Sequence, residues 1–126
     1  RNTADLDGRG TCIDMLATKA EMRRCVDASF PGWVECAFTD ASGVEHLIVE
    51  KVPTVTAEAI SATSTFPRPC EIACILVQER VGPDGRTVLV VDTASPWGVQ
   101  STAGMTQFEV LREQVLELEG RPPARR

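Results

Sequence analysis

The sequence predicts an α+β fold: antiparallel β-hairpins forming a small, partly open barrel or sandwich, with a short helix near each end. Three observations carry that prediction. Two pairs of β-type segments flank the turn sequences Asp40-Ala41-Ser42-Gly43 and Gly82-Pro83-Asp84-Gly85. Apolar residues recur at helical spacing close to both ends of the chain. No internal repeat or second core-forming stretch divides the 126 residues, a length at which one domain buries roughly 65–70% of its unfolded surface.

Residues 1–10 are polar and rich in Gly, Asp and Arg, and are expected to be a frayed segment ahead of a single domain spanning 11–120. Thr11 reads as an N-cap with Asp14 three residues on. Ile13, Leu16, Ala17, Ala20 and Arg24 follow at helical spacing, which predicts a helix over 12–23. Pro31-Gly32 then breaks the chain.

Trp33–Thr39 and Val44–Lys51 form the first expected hairpin, and its register depends on the loop. A four-residue loop sets Cys36 opposite Leu47, with Val34, Cys36, Phe38, Leu47 and Val49 on one face and His46 on the other. A three-residue loop ending in a left-handed Gly43 brings His46 beside Phe38 instead. Pro53 ends the second strand. Thr56 to Ala62 is expected to form one or two helical turns with Thr56 as N-cap. Phe66 to Pro69 is extended, because a residue before proline is pushed out of the helical region.

Cys70–Val81 and Arg86–Asp92 form the second expected hairpin. Pro83 and Gly85 suit a type I turn plus bulge. That register groups Ile75, Val77, Leu89 and Val91 on one face, and Ile72, Cys74, Leu76, Val88 and Val90 on the other. Both faces are apolar, so both are expected to be covered. Residues 93–106 show neither period, and a structureless loop that long in so small a domain is either misread or functional. Phe108 to Val110 extends the sheet. Leu111, Val115 and Leu118 suggest a short amphipathic helix stopped by Gly120, and residues 121–126 a disordered basic tail.

Charge narrows the function. A net charge of −5 argues against nucleic acid, whose binders need a clustered basic footprint, and against anionic membrane. No apolar run approaches the roughly 18–20 residues of a membrane span. The first residues lack the apolar segment of a secretory signal, so a cytoplasmic location is expected. Met15 and Met22 are internal candidates for a natural start. Eleven arginines against two lysines suggest GC-rich coding, as in many bacteria.

The five cysteines, Cys12, Cys25, Cys36, Cys70 and Cys74, match no zinc-module spacing. On a strand, Cys70 and Cys74 stand about 13 Å apart, beyond the roughly 7 Å that a disulfide spans between Cα atoms. They therefore read as core thiols. His46 is the single histidine, and Glu50, on the same strand face, is also about 13 Å away. No nucleophile elbow, zinc-protease helix, Walker A loop or dinucleotide fingerprint is present. Glu35, Glu45, Glu71, Glu79 and Asp92 alternate with apolar residues as outward strand positions do, and no pair is singled out for acid–base work.

No catalytic residue, metal ligand or cofactor is assigned. The candidate binding residues are Trp97, Trp33, Phe66, Arg68, His46 and Asp92. Trp97 leads because Ser95-Pro96-Trp97-Gly98 places a large aromatic inside the irregular loop, either as a lid on the core or as a recognition surface. The expected function is a non-enzymatic interaction module for a protein partner, of inhibitor or immunity type or as an assembly subunit. The alternative is a small-molecule or hydrolytic site at the end of the sheet, lined by Trp97, His46, Asp92 and a cysteine. The oligomeric state stays open.

Overall fold

The computed structural model describes residues 15–61 and 63–117. The leader expected over 1–10, the cap at Thr11, Ala62, and the chain from Leu118 onward, including the basic tail, lie outside them. The elements in order are β1 (Met15–Asp27), β2 (Trp33–Thr39), β3 (Glu45–Lys51), one helical turn α1 (Val52–Val55), β4 (Arg68–Val81), β5 (Thr87–Asp92), β6 (Gln107–Leu111), a 3₁₀ turn (Arg112–Gln114) and β7 (Val115–Glu117). Every strand pair is antiparallel, in the order β3-β2-β1-β4-β5-β6. The short β7 returns to pair with β1 at Leu16 to Thr18. The sheet therefore curls on itself into a half-barrel, and helix is scarce among the described residues.

The expected helix over 12–23 is overturned where it can be seen, because Met15–Asp27 is a strand. Leu16, Thr18 and Met22 are buried and Ala20 half-buried, while Lys19 and Glu21 are exposed. That is a period of two, sharing several residues with the helical pattern. Tertiary pairing decided between them. β1 has β4 along one edge and both β2 and β7 along the other, so its backbone groups are satisfied by ladders, which outweighs a weak local propensity.

The C-terminal helix is overturned for a related reason. The chain makes a single 3₁₀ turn, in which the Leu111 N–H donates to Gln114 Oε1 at 2.8 Å, and then resumes as β7 against β1. The helical turn expected from Thr56 lies earlier, at Val52–Val55. Pro53 sits in its first turn, where a missing N–H leaves nothing unsatisfied. Thr56 closes that turn by donating its N–H to the Val52 carbonyl at 3.1 Å.

The turns settle the registers. Asp40 N–H donates to Val44 O at 2.8 Å and Gly43 N–H to Asp40 O at 3.0 Å, with Gly43 at φ 89°. This is the three-residue loop, so Phe38 faces His46 and Cys36 faces Ile48. Leu47 and Val49 consequently point outward, away from Val34, Cys36 and Phe38. Gly82 to Arg86 repeats the same turn, with Gly85 at φ 82°.

One further irregularity regroups the second hairpin. A bulge between Leu76 and Gln78 drops Val77 from the ladder, so Leu76 rather than Val77 opposes Val91. Leu89 and Val91 therefore share the concave face with Ile72, Cys74 and Leu76. The other face, which carries Val88 and Val90, is only partly covered: Val88 is buried but Val90 only half-buried.

Residues 93–106 conceal a third copy of the turn. Ser101 N–H donates to Met105 O and Gly104 N–H to Ser101 O, both at 2.8 Å, with Gly104 at φ 84°. Ser101 Oγ accepts the N–H groups of Ala103 and Met105, just as Asp40 Oδ1 accepts those of Ser42 and Val44. The irregular excursion shrinks to the residues between Thr93 and Ser101. The concave core includes Met22, Val34, Cys36, Ile48, Ile72, Cys74, Val91, Val99 and Val110, all fully buried. Val52 and Val55 pack against that core from α1. No helix among the described residues is long and apolar enough to cross a membrane.

Candidate functional site

The curled sheet brings β3 and β6 together along a seam without a strand ladder. Isolated hydrogen bonds cross it: Ala41 N–H to Glu109 O at 2.7 Å, Thr102 N–H to Leu47 O at 2.9 Å, and Gln114 Nε2 to Thr39 O at 2.6 Å. Beneath them, His46 lies 4.8 Å from Phe108 and 5.4 Å from Phe38 between ring centroids, and the two phenyl rings meet edge to face at 5.1 Å. Such aromatic contacts add to plain area burial.

His46 Nε2 is 2.8 Å from Asp40 Oδ2. Burial of Asp40 works against its charged form. The hydrogen bond with His46, the backbone N–H groups of Val44 and Ser42, and the charge on His46 outweigh it and hold the carboxyl below its ordinary value of 3.8. Asp40 thus binds its own turn and the only imidazole at once. Among the described residues no serine or cysteine is hydrogen-bonded to His46, so the pair braces the β2–β3 turn and does not form a nucleophile–base couple.

The loop carrying Trp97 is fastened from below. Thr93, 1% exposed, donates its N–H to Thr106 O at 2.8 Å and its hydroxyl to Val99 O at 2.7 Å, while Val99 N–H returns to Thr93 O at 3.0 Å. Gly98 N–H donates to Ala94 O at 2.9 Å. Val99, fully buried in the core cluster, plugs the interior, and Trp97 stays 63% exposed. Trp97 therefore does not fold back as a lid on the core, and Val99 supplies the buried contact instead.

The other candidates scatter. Asp92 accepts the Ala94 N–H at 2.8 Å and the Gln107 amide at 3.3 Å. It pairs with Gln107 while Phe108, the next residue, faces inward against His46. Asp92 and His46 therefore occupy opposite faces and do not line a common site. Trp33 lies opposite Lys51, whose Nζ is 5.2 Å from the indole centroid. Phe66 packs against the core. Arg68 Nη2 reaches Glu58 at 3.0 Å, and its buried Nε has no hydrogen-bond partner.

Four outward carboxylates pair with surface arginines: Glu35 with Arg24, Glu45 with Arg23, Glu79 with Arg112 and Glu109 with Arg80. The sequence reading missed Phe30, 98% exposed in the β1–β2 turn, where Asp27 Oδ1 accepts the Ser29 N–H at 2.9 Å. An aromatic residue directly before Pro31-Gly32 was the available signal.

Cys36, Cys70 and Cys74 are buried free thiols and Cys25 is half-buried. Cys70 and Cys74 lie on one strand, β4, as expected, so they do not act together. Each meets a different partner. Cys74 Sγ is 3.6 Å from Thr18 Oγ1, and burial pushes its thiol up. Cys36 and Cys70 lie on β2 and β4, the strands either side of β1. Their mutual interaction lowers the Cys36 thiol against the opposing effect of burial, and together with burial it drives Cys70 far up. Among the described residues no three His, Cys, Asp or Glu side chains converge. No family model matches the chain, and no curated protein or solved structure matches it at a significant level.

Proposed function

We propose that this protein is a non-enzymatic interaction module that engages a protein partner through Trp97, as an inhibitor or immunity-type protein or as a subunit of an assembly. The supporting observation is an indole left 63% exposed on a loop whose ends are pinned by buried Thr93, Val99 and Ser101. A pre-ordered loop loses little conformational freedom on binding, and an exposed Trp is a frequent centre of interface energy. A net charge of −5 favours a partner with a basic face, chiefly through faster encounter. The small-molecule alternative is less well supported, because His46 is engaged by Asp40 while Asp92 faces the other way.

The test compares tagged wild-type chain with Trp97→Ala as bait in extract of the source cells, followed by binding measurements on any purified partner. Loss of a central Trp costs about 2 kcal/mol or more, so the affinity should fall at least ~30-fold. His46→Gln should leave it within about twofold, as expected for a residue outside the contact. A partner whose affinity is indifferent to Trp97 would overturn the proposal.

A further inference from the structure

A short run of hydrogen bonds ties Asp92 to the backbone beside Trp97. Asp92 Oδ1 accepts the Ala94 N–H at 2.8 Å, and Ala94 O accepts, at 2.9 Å, the N–H of the peptide joining Trp97 to Gly98. The indole is 63% exposed, and residues 93–106 around it contain no charged side chain. Among the described residues neither group meets a cation. Asp92 has the Ala94 N–H and the Gln107 amide, whereas Glu35, Glu45, Glu79 and Glu109 each have an arginine. The other indole, Trp33, has Lys51 Nζ at 5.2 Å, and Trp97 has no such contact.

The chain itself carries the matching chemistry. Residues 121–126 read Arg-Pro-Pro-Ala-Arg-Arg, three positive charges with no acid among them. The first 120 residues hold 10 basic against 18 acidic side chains, a net −8, so the segment and the body attract one another. An arginine stacks on an indole face and forks onto a carboxylate. Prolines favour an extended backbone that docks against an aromatic at little entropic cost.

The reach is sufficient. Glu117, the last described residue, lies opposite Leu16, Leu16 lies opposite Cys74, and Ile75, next along β4, lies opposite Asp92. Glu117 and Asp92 are therefore separated by the spacings of β7 to β1, β1 to β4 and β4 to β5, together about 14 Å. Residues 118–126 span up to about 30 Å when extended. Tethering through so short a segment gives an effective concentration in the millimolar range. A contact too weak to hold two separate molecules together is then still populated.

We propose that residues 121–126 dock on Trp97 and Asp92 of their own chain, and shield the indole until a partner displaces them. Arg121, Arg125 and Arg126 supply the cations for the indole face and the carboxylate. This regulation rests on Trp97 being the surface that meets the partner.

The experiment reads the isolated full chain carrying Trp33→Phe, which leaves Trp97 as its single indole. Acrylamide quenching and the emission maximum report how far that indole is exposed to water. Arg121→Glu, Arg125→Glu and Arg126→Glu together should raise the quenching constant roughly twofold, as for release of a half-populated tethered contact, and shift the emission to the red. Asp92→Asn should act in the same direction. So should about 1 M salt on the parent chain, where the screening length falls to about 3 Å. Circular dichroism checks each fold, and where Asp92→Asn disturbs the loop the arginine reversals and the salt series decide. Quenching indifferent to both overturns the docking. Shielding that fades on dilution assigns the segment to a second copy and equally overturns docking within one chain. Partner affinity enters none of these readings. The docking can therefore fail while Trp97→Ala still weakens partner binding, and can hold where Trp97→Ala leaves that binding intact.

Discussion

Asp40→Ala removes one carboxylate that serves three donors, so its cost can be worked from the structure. The N–H groups of Ser42 and Val44 each lie 2.9 Å from Oδ1, and His46 Nε2 lies 2.8 Å from Oδ2. A hydrogen bond contributes roughly 0.5–1.5 kcal/mol net. With the side chain only 15% exposed, each bond falls near the middle of that range. Three bonds give about 3 kcal/mol, or about 10 °C in Tm for a chain of this size.

Asp40→Asn keeps an oxygen for the two turn N–H groups and a polar group beside His46, so it should cost only about 1 kcal/mol. Urea unfolding across pH separates the two effects. The folded-state carboxyl titrates below its ordinary value of 3.8. Its charge-dependent contribution is therefore complete above that value and fades as pH falls through the lower folded one. The gap between wild type and Asp40→Asn should shrink as pH falls below about 4. A gap that persists unchanged into acid, or an Asp40→Ala chain as stable as wild type, would refute the bracing role of Asp40.

Val99→Ala should destabilise by about 2–3 kcal/mol in urea unfolding, from two lost methyl groups plus the cavity they leave. Phe30→Ser should change stability by less than about 0.5 kcal/mol in the same assay, since Phe30 is 98% exposed and touches little. Gly104→Ala and Gly85→Ala should each cost about 1–2 kcal/mol. An added Cβ meets nothing within 4 Å at either position, so only the left-handed backbone is penalised, and thermal melts should give matching shifts. Thr18→Val should be within about 1 kcal/mol of wild type or more stable, because among the described residues the buried hydroxyl meets only the weakly bonding Cys74 sulfur, at 3.6 Å.

The site was less legible than the fold. Trp97 stood out in the sequence because an indole between Pro96 and Gly98 is conspicuous wherever it sits. That Val99 would carry the burial was not visible, since a lone valine in a polar loop has no period to mark it. The placement of Cys36 and Cys70 on the two strands that flank β1 was equally hidden. Spacing along one strand rules out the Cys70–Cys74 pair, but contacts between different strands depend on two registers and on the curl of the sheet.

The sequence by itself determined the hairpin turns and the cores of the strands beside them. Gly43 and Gly85 permit the left-handed backbone that other residues resist, which located both turns, but the choice between a three- and a four-residue loop at Gly43 stayed open until the structure set Phe38 opposite His46. Ser101 to Met105 obeyed the same rule, with serine in the place of aspartate. Only the tertiary structure decided that Met15–Asp27 is a strand, that Val77 bulges out of β4, and that His46 closes a seam with Phe108. Each of those outcomes turns on backbone and side-chain partners distant in the chain. Local preferences there differ by a fraction of a kcal/mol per residue, and the pairing of β1 on both edges is worth more than that.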